Sequence, residues 1–162
     1  MRRTHALTIV ECMIAMTILS VIVLVTCYTL AAGQQHIYEG NRLATAVRLG
    51  RDLLEEITAR SYRDPSGTSN FGPESDELTR AAFDDVDDYK NYAEAPGSLA
   101  DATGTPYPPA DQVFSRKVNV TKSPVSVSDL GGQFNGLTVT VTVQAPTGQQ
   151  WVFQRFIPEP AQ

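Results

Sequence analysis

A run of 21 residues without a charged side chain, from Cys12 to Ala32, constrains this chain more than any other feature. As an α-helix the run measures about 31 Å, which matches the hydrocarbon thickness of a bilayer. Arg2 and Arg3 precede it, and positive charges keep a short flanking tail on the cytoplasmic side. The sequence therefore predicts a single-pass membrane protein whose larger, soluble part lies outside the cytoplasm.

The soluble part, residues 33–162, is small and acidic. It carries 11 basic and 17 acidic residues, and this balance repels a phosphate backbone and argues against nucleic-acid binding. Its single histidine is His36, and both cysteines of the chain, Cys12 and Cys27, lie in the apolar run. The soluble part thus lacks the residues of a Cys/His zinc site or a histidine-based catalytic set, and the chain is expected not to be an enzyme.

Glu11 is a lone carboxylate at the start of the apolar segment. A charge at mid-bilayer costs about 2.5 to 3.5 kcal/mol, and less near the interface, so this residue needs a partner. The simplest interpretation is a signal anchor in which Glu11 reaches the lipid headgroups. A cleaved secretory signal fits less well, because Glu11 interrupts the apolar region that such a signal requires.

The residues around Glu11 resemble the class III signal of type IV prepilins, the family of pilins and type II secretion pseudopilins. The family pattern is a short basic leader, a small residue before the cut, and a glutamate at the fifth position of the mature helix. Here the leader is residues 1–6, the cut falls between Ala6 and Leu7, and Glu11 is the fifth mature residue. Ala6 stands where the family usually has glycine, and Leu7 where it usually has phenylalanine.

The resemblance implies a mechanism and a set of partners. A prepilin peptidase removes the leader, the new amine of Leu7 is methylated, and this amine pairs with Glu11 of a neighbouring subunit. Two charges that are costly alone in an apolar bundle are tolerable as a pair. The implied partners are the peptidase, the inner membrane and other pilin or pseudopilin subunits. The implied location is the inner membrane, and afterwards a periplasmic or cell-surface filament.

The helical pattern continues beyond the membrane-spanning residues 7–32. It extends through residues 33–63 as an amphipathic helix and stops at Asp64 and Pro65. A helix over residues 7–61 would measure about 82 Å, so its first half is expected to project from the soluble domain. One face of the second half is expected to pack on a sheet. That predicted face consists of Leu43, Val47, Gly50, Leu54 and Ile57.

Residues 64–112 form an acidic, loop-rich insert, with eleven acidic residues against Arg80 and Lys90. Close carboxylates repel one another, and a calcium ion with oxygen ligands would relieve that repulsion. The alternatives are a solvated acidic run or an arginine partner such as Arg80. No cofactor other than calcium is expected. The candidate calcium ligands are the four carboxylates of the FDDVDDY segment, Asp84, Asp85, Asp87 and Asp88.

The wider stretch over residues 71–92 resembles the acidic segment of minor pilins of the mannose-sensitive haemagglutinin type. Those proteins carry a similar FDDVDDY run after their long helix. This resemblance narrows the expected family from prepilins in general to a minor-subunit branch, either minor pilins or minor pseudopilins.

The last third of the chain, residues 113–162, has the pattern of β-strands. Residues 137–143 alternate apolar side chains with threonine, residues 146–148 form a turn, and residues 150–157 return as an antiparallel partner. Further strands are predicted at residues 114–121 and 125–128. The fold class is therefore α+β and pilin-like: a long N-terminal helix, membrane-spanning in its first half, packed by its second half on a small antiparallel β-sheet.

These features predict a structural minor subunit of a type IV pilus-like or type II secretion pseudopilus filament. The alternative is a signal-anchored periplasmic binding module with a small β-rich domain. The two interpretations differ at Glu11, which controls assembly in the first and is dispensable in the second.

Overall fold

The computed structural model describes residues 8–65, 67, 70–127 and 132–160. The chain divides into two compact units, Met1–Arg42 and Leu43–Gln162. We call the described residues of the first unit, 8–42, the anchor segment, and the second unit the head. The helix α1 (Ile9–Thr58) contributes residues to both units.

The anchor segment is a helix whose side chains at residues 8–41 are all exposed. Many of them are large and apolar, and α1 is long and apolar enough to cross a membrane. The hydroxyls of this segment bond to carbonyl oxygens of the same helix, as Thr17 does to Ile14 and Ser20 to Met16, both at 2.8 Å. Such bonds satisfy the hydroxyls without water, which a bilayer core requires. With the N-terminal position of the helix, these features fit a membrane anchor.

The head contains a four-stranded antiparallel sheet and a separate two-stranded sheet. The strands in chain order are β1 (Ala93–Glu94), β2 (Ser115–Lys122), β3 (Val125–Val127), β4 (Gly132–Phe134), β5 (Gly136–Gln144) and β6 (Gln150–Pro158). The larger sheet has the order β1-β2-β5-β6, and β3 pairs with β4. The α+β, pilin-like fold class predicted from the sequence is confirmed. Ser128, the last residue of one predicted strand, lies outside the described residues.

Strand β5 confirms the alternating pattern from which it was predicted. Leu137, Val139, Val141 and Val143 are all buried in the core, because successive side chains of a strand point to opposite faces. The turn after β5 closes through a 2.9 Å bond from the Gly148 amide to the Ala145 carbonyl. β6 then returns alongside β5 in antiparallel register.

The predicted helix face was partly wrong. Leu43 and Val47 are exposed, at 47% and 41%, and Leu54 is half-buried. The buried face is turned by about one residue toward Leu49 and Leu53, and Gly50, which belongs to both faces, lies directly beneath the ring of Phe153 on β6, where a side chain would collide. The residues of α1 that are buried are Ala46, Leu49, Gly50, Leu53 and Ile57.

Helix α1 ends at Thr58, before the predicted stop at Asp64. The backbone of Ser61 instead pairs with the acidic insert, through a 3.0 Å bond from the Val86 amide to the Ser61 carbonyl. The insert contains a short 3-10 helix, Asp87–Tyr89, and the strand β1. It also contributes to the core of the head, since Phe83, Val86, Tyr89 and Leu99 are all buried.

A network of buried charges joins α1, the insert and the sheet. Arg80 pairs with Glu56 of α1 and with Glu94 of β1, the latter at 2.9 Å. Arg116 of β2 is fully buried, donates from Nε to Glu94 at 2.5 Å and from Nη1 to the Leu49 carbonyl at 3.1 Å. Burial favours a raised pKa for Glu56, but hydrogen bonds from Arg80 and Tyr89 outweigh it and hold the pKa below its usual value.

Candidate functional site

The four aspartates of the FDDVDDY segment organise the backbone around them. Asp85, Asp87 and Asp88 are buried, whereas Asp84 is exposed. Asp85 Oδ1 accepts from the amides of Asp87 at 2.7 Å and Asp88 at 3.2 Å, and Asp88 Oδ2 accepts from those of Asp84 at 2.9 Å and Asp85 at 3.0 Å. Asp87 Oδ2 accepts from the Gly72 amide at 2.8 Å. These bonds fold the segment on itself and hold it against Gly72.

The crowding of these carboxylates changes their titration. Burial, followed by the negative charges of Asp87 and Asp88, raises the pKa of Asp85 to about 7. Burial also raises the pKa of Asp87, although the Gly72 amide opposes the shift. Near neutral pH the segment therefore holds less negative charge than its sequence indicates.

Among the described residues, a group that could hold a metal ion consists of Glu74, Glu77 and Asp88. One ligand atom from each of these residues lies within 4.8 Å of the others. Of the four predicted calcium ligands, the structure brings only Asp88 into this group. The calcium site at Asp84, Asp85, Asp87 and Asp88 stays a prediction.

Glu74 and Glu77 were missed by the sequence analysis because they lie 14 and 11 residues before Asp88. Only the folding of the insert brings them to it. Gly72, just before Glu74, adopts a φ of +114°, a conformation that favours glycine. The side chain of Lys90 packs against Gly72, with its Cδ 3.4 Å from the position that a Cβ of Gly72 would take. Lys90 Nζ also donates to the Phe71 carbonyl at 3.1 Å, so the start of the loop is held beside the FDDVDDY segment.

At the other end of the chain, Ala6 and Leu7 lie outside the described residues. The predicted cleavage and methylation at these two positions stay predictions. Glu11, the predicted assembly residue, lies in the first turn of α1.

Thr8 and Glu11 form a reciprocal cap at the start of α1. The Thr8 amide donates to Glu11 Oε2, and the Glu11 amide donates to Thr8 Oγ1, both at 3.3 Å. This capping box satisfies two backbone donors that have no partner within the helix. The Thr-x-x-Glu spacing at residues 8–11 is its sequence signal, which the sequence analysis overlooked by treating Glu11 only as a charge. Glu11 remains exposed within the chain and is accessible to a neighbouring molecule.

Comparison with known proteins identifies this N-terminal region. Residues 1–26 match the family of the prokaryotic N-terminal methylation motif. The chain carries a prepilin-type signal. The motif indicates a type IV pilin-like precursor processed by prepilin peptidase, and it implies assembly with other pilin subunits. No curated protein and no solved structure matches the chain.

The class III signal predicted from the spacing around Glu11 is therefore confirmed. The matched residues cover the first part of the apolar helix, whose side chains are exposed within the chain. The motif indicates a structural rather than a catalytic role.

Proposed function

We propose that this chain is a minor structural subunit of a type IV pilus-like or type II secretion pseudopilus filament. The observation that carries the proposal is the methylation motif at residues 1–26. The motif is followed by a largely apolar helix whose side chains are all exposed over residues 8–41. An apolar surface of this kind is stable only against lipid or against other apolar helices. The two environments correspond to the subunit before assembly and the subunit in the filament.

The minor role rests on the acidic segment of the head. Residues 71–92 resemble the corresponding segment of minor pilins of the mannose-sensitive haemagglutinin type, and here they carry core side chains such as Phe83 and Tyr89. We infer that the subunit waits in the inner membrane with its head outside the cytoplasm. The two arginines before the apolar run, Arg2 and Arg3, support this orientation.

In the proposed mechanism, cleavage between Ala6 and Leu7 frees the amine of Leu7, which is then methylated. Glu11 of one subunit receives the amine of its neighbour. A carboxylate has two oxygens, so Glu11 can keep its cap with Thr8 through Oε2 and offer Oε1 to the amine. The pair fixes the axial register of the helices, because either charge left unpaired in an apolar bundle is strongly unfavourable.

The alternative function is a signal-anchored periplasmic binding module. One feature favours it: a cavity of about 560 Å³ in the head, lined by residues that include Tyr62, Lys122 and Glu159. Its size suits a small ligand. Under this alternative Glu11 would have no role in assembly.

Replacing Glu11 by alanine tests the proposal, with Glu39→Ala as the matched control. Glu39 is another exposed glutamate of the anchor segment. We expect both variants to enter the membrane, and only Glu11→Ala to fall at least about 100-fold in the isolated filaments, because an unpaired buried charge costs about 3 to 5 kcal/mol. The measurement is quantitative immunoblotting of filament and membrane fractions.

The N-terminus of the unaltered protein is measured by intact mass spectrometry in the same preparations. A chain beginning at Leu7 with one added methyl group is expected. Normal incorporation of Glu11→Ala would contradict the charge pair, and a mature chain that retains Met1 would favour the binding module.

A further inference from the structure

We propose that Glu74, Glu77 and Asp88 form a calcium-binding site in the head. The site goes beyond the filament role and does not depend on it. Three carboxylates from two separate parts of the insert converge there, with one oxygen of each within 4.8 Å of the others. The convergence of three carboxylates alone does not identify a ligand. The second observation is a buried oxygen of Asp88 that lacks a hydrogen bond within the described residues.

Asp88 is 1% exposed, and its two oxygens have different surroundings. Oδ2 accepts from the amides of Asp84 and Asp85, whereas Oδ1 is buried and has no hydrogen-bond partner among the residues that the structure describes. A buried carboxylate oxygen without a partner is unfavourable, because it has lost its hydrogen bonds to water and forms none within the protein. A bound cation would supply the missing interaction.

Glu77 is held at the site by the backbone of its own loop, since its Oε2 accepts from the Glu74 amide at 3.1 Å. Ionised carboxylates cannot donate a hydrogen bond to one another, so three of them gathered within 4.8 Å repel, and a hard cation between them relieves that repulsion. A calcium ion would neutralise most of the charge of the three groups.

The chemistry of the group selects calcium among biological metals. All ligands are carboxylate oxygens, which suit hard cations rather than zinc or copper. Calcium binds oxygen at about 2.3 to 2.6 Å, so opposite ligands of one ion can lie about 4.6 to 5.2 Å apart, and a group within 4.8 Å fits this span. Magnesium needs a tighter octahedron and keeps several waters, so a site of three loop carboxylates suits it less well.

A calcium ion at this site would join the loop of Glu74 and Glu77 to the 3-10 helix. That helix is coupled to α1, because the hydroxyl of Tyr89 donates to Glu56 Oε1 at 2.7 Å. Calcium would thus stabilise the insert on the core of the head. Calcium should therefore raise the unfolding temperature of the head, and this effect does not depend on assembly with other subunits.

The test is thermal unfolding of the full-length protein in detergent micelles, with and without calcium. Trp151, the single tryptophan of the chain, lies on β6 and reports the head by its fluorescence. For an extracellular-type site with a Kd of about 0.1 to 1 mM, we expect about 10 mM calcium to raise Tm by about 5 °C or more relative to EDTA.

Glu77→Gln removes one ligand charge, and Asp76→Asn is its matched control. Asp76 is exposed and does not belong to the group of three. We expect Glu77→Gln to fold at least as well as the unaltered chain without calcium, because it removes repulsion, and to lose the calcium response. Asp76→Asn should retain the full response.

Two results would overturn the proposal. One is an unaltered protein whose Tm does not respond to calcium. The other is a response of equal size in Glu77→Gln, which would place the calcium effect elsewhere on the acidic surface.

Discussion

The two parts of helix α1 have the same backbone structure and opposite surroundings. Residues 9–41 are all exposed within the chain, whereas the part in the head, residues 43–58, buries Leu49 and Leu53 completely. A helix gains most of its stability from what covers its apolar face. In the head that cover is the β-sheet of the same chain, whereas in the anchor segment it must be lipid or, in the proposed filament, other subunits.

The glycines of α1 show the same difference. For Gly33 and Gly40, in the anchor segment, no atom of another described residue lies within 4 Å of the position that a Cβ would take. Gly50, in the head, has the ring of Phe153 at that position. One residue type thus weakens an exposed helix in the first case and permits close packing in the second.

The largest effect that distinguishes the two parts is expected from truncating a leucine in each. Leu53→Ala should destabilise the head by about 2 to 5 kcal/mol, because it leaves a cavity in a completely buried position. Leu24→Ala, at a position 60% exposed, should leave the stability of the head unchanged. Urea unfolding of the full chain in micelles, followed by Trp151 fluorescence, measures both. Equal losses in the two variants would contradict the division.

A smaller effect is expected from adding a methyl group to each kind of glycine. Gly50→Ala should destabilise the head by about 1 to 3 kcal/mol, since the ring of Phe153 must move. Gly33→Ala meets no neighbouring atom and should raise the helicity of the anchor segment, by about 1 kcal/mol of propensity. The same urea titration and the far-UV circular dichroism of the two variants test this pair. A stable Gly50→Ala head would show that β6 is less closely packed on α1 than described.

The smallest effect is a pH dependence confined to the head. The pKa of Asp85 is raised to about 7 and that of Glu77 to about 8. A raised carboxyl pKa means that the folded state holds a proton that the unfolded state releases, near pH 3.8 for Asp85 and near pH 4.5 for Glu77. This stability is complete below those values and is lost as pH rises through about 7 to 8. In EDTA the Tm of the head should therefore fall by a few degrees between pH 5 and pH 9.

Glu56 acts in the opposite sense, because its pKa is lowered and its contribution is lost only as pH falls into the acid range. The expected maximum of stability without calcium lies near pH 5. Glu77→Gln should flatten the decline above pH 7, whereas Asp76→Asn should leave it unchanged. A Tm that is constant or rises between pH 6 and pH 9 would contradict the raised pKa values of Asp85 and Glu77.

Features that depend only on neighbouring residues could be predicted from the sequence. The uncharged run from Cys12 to Ala32, the spacing of Glu11 and the alternation along β5 each have a period or a length that local chemistry imposes. They predicted the membrane-spanning helix, the prepilin-type signal and the antiparallel sheet. The Thr8–Glu11 cap has a local signal of the same kind.

Tertiary structure alone decided which helix face is buried and which acids meet. A helical pattern that is apolar on more than one side does not specify its buried face, and here the packing of the head buries Leu49 and Leu53 and leaves Leu43 exposed. Glu74 and Glu77 reach Asp88 only because the insert folds back across Gly72. Contacts between distant residues depend on the packing of the whole head, so no local pattern could reveal them.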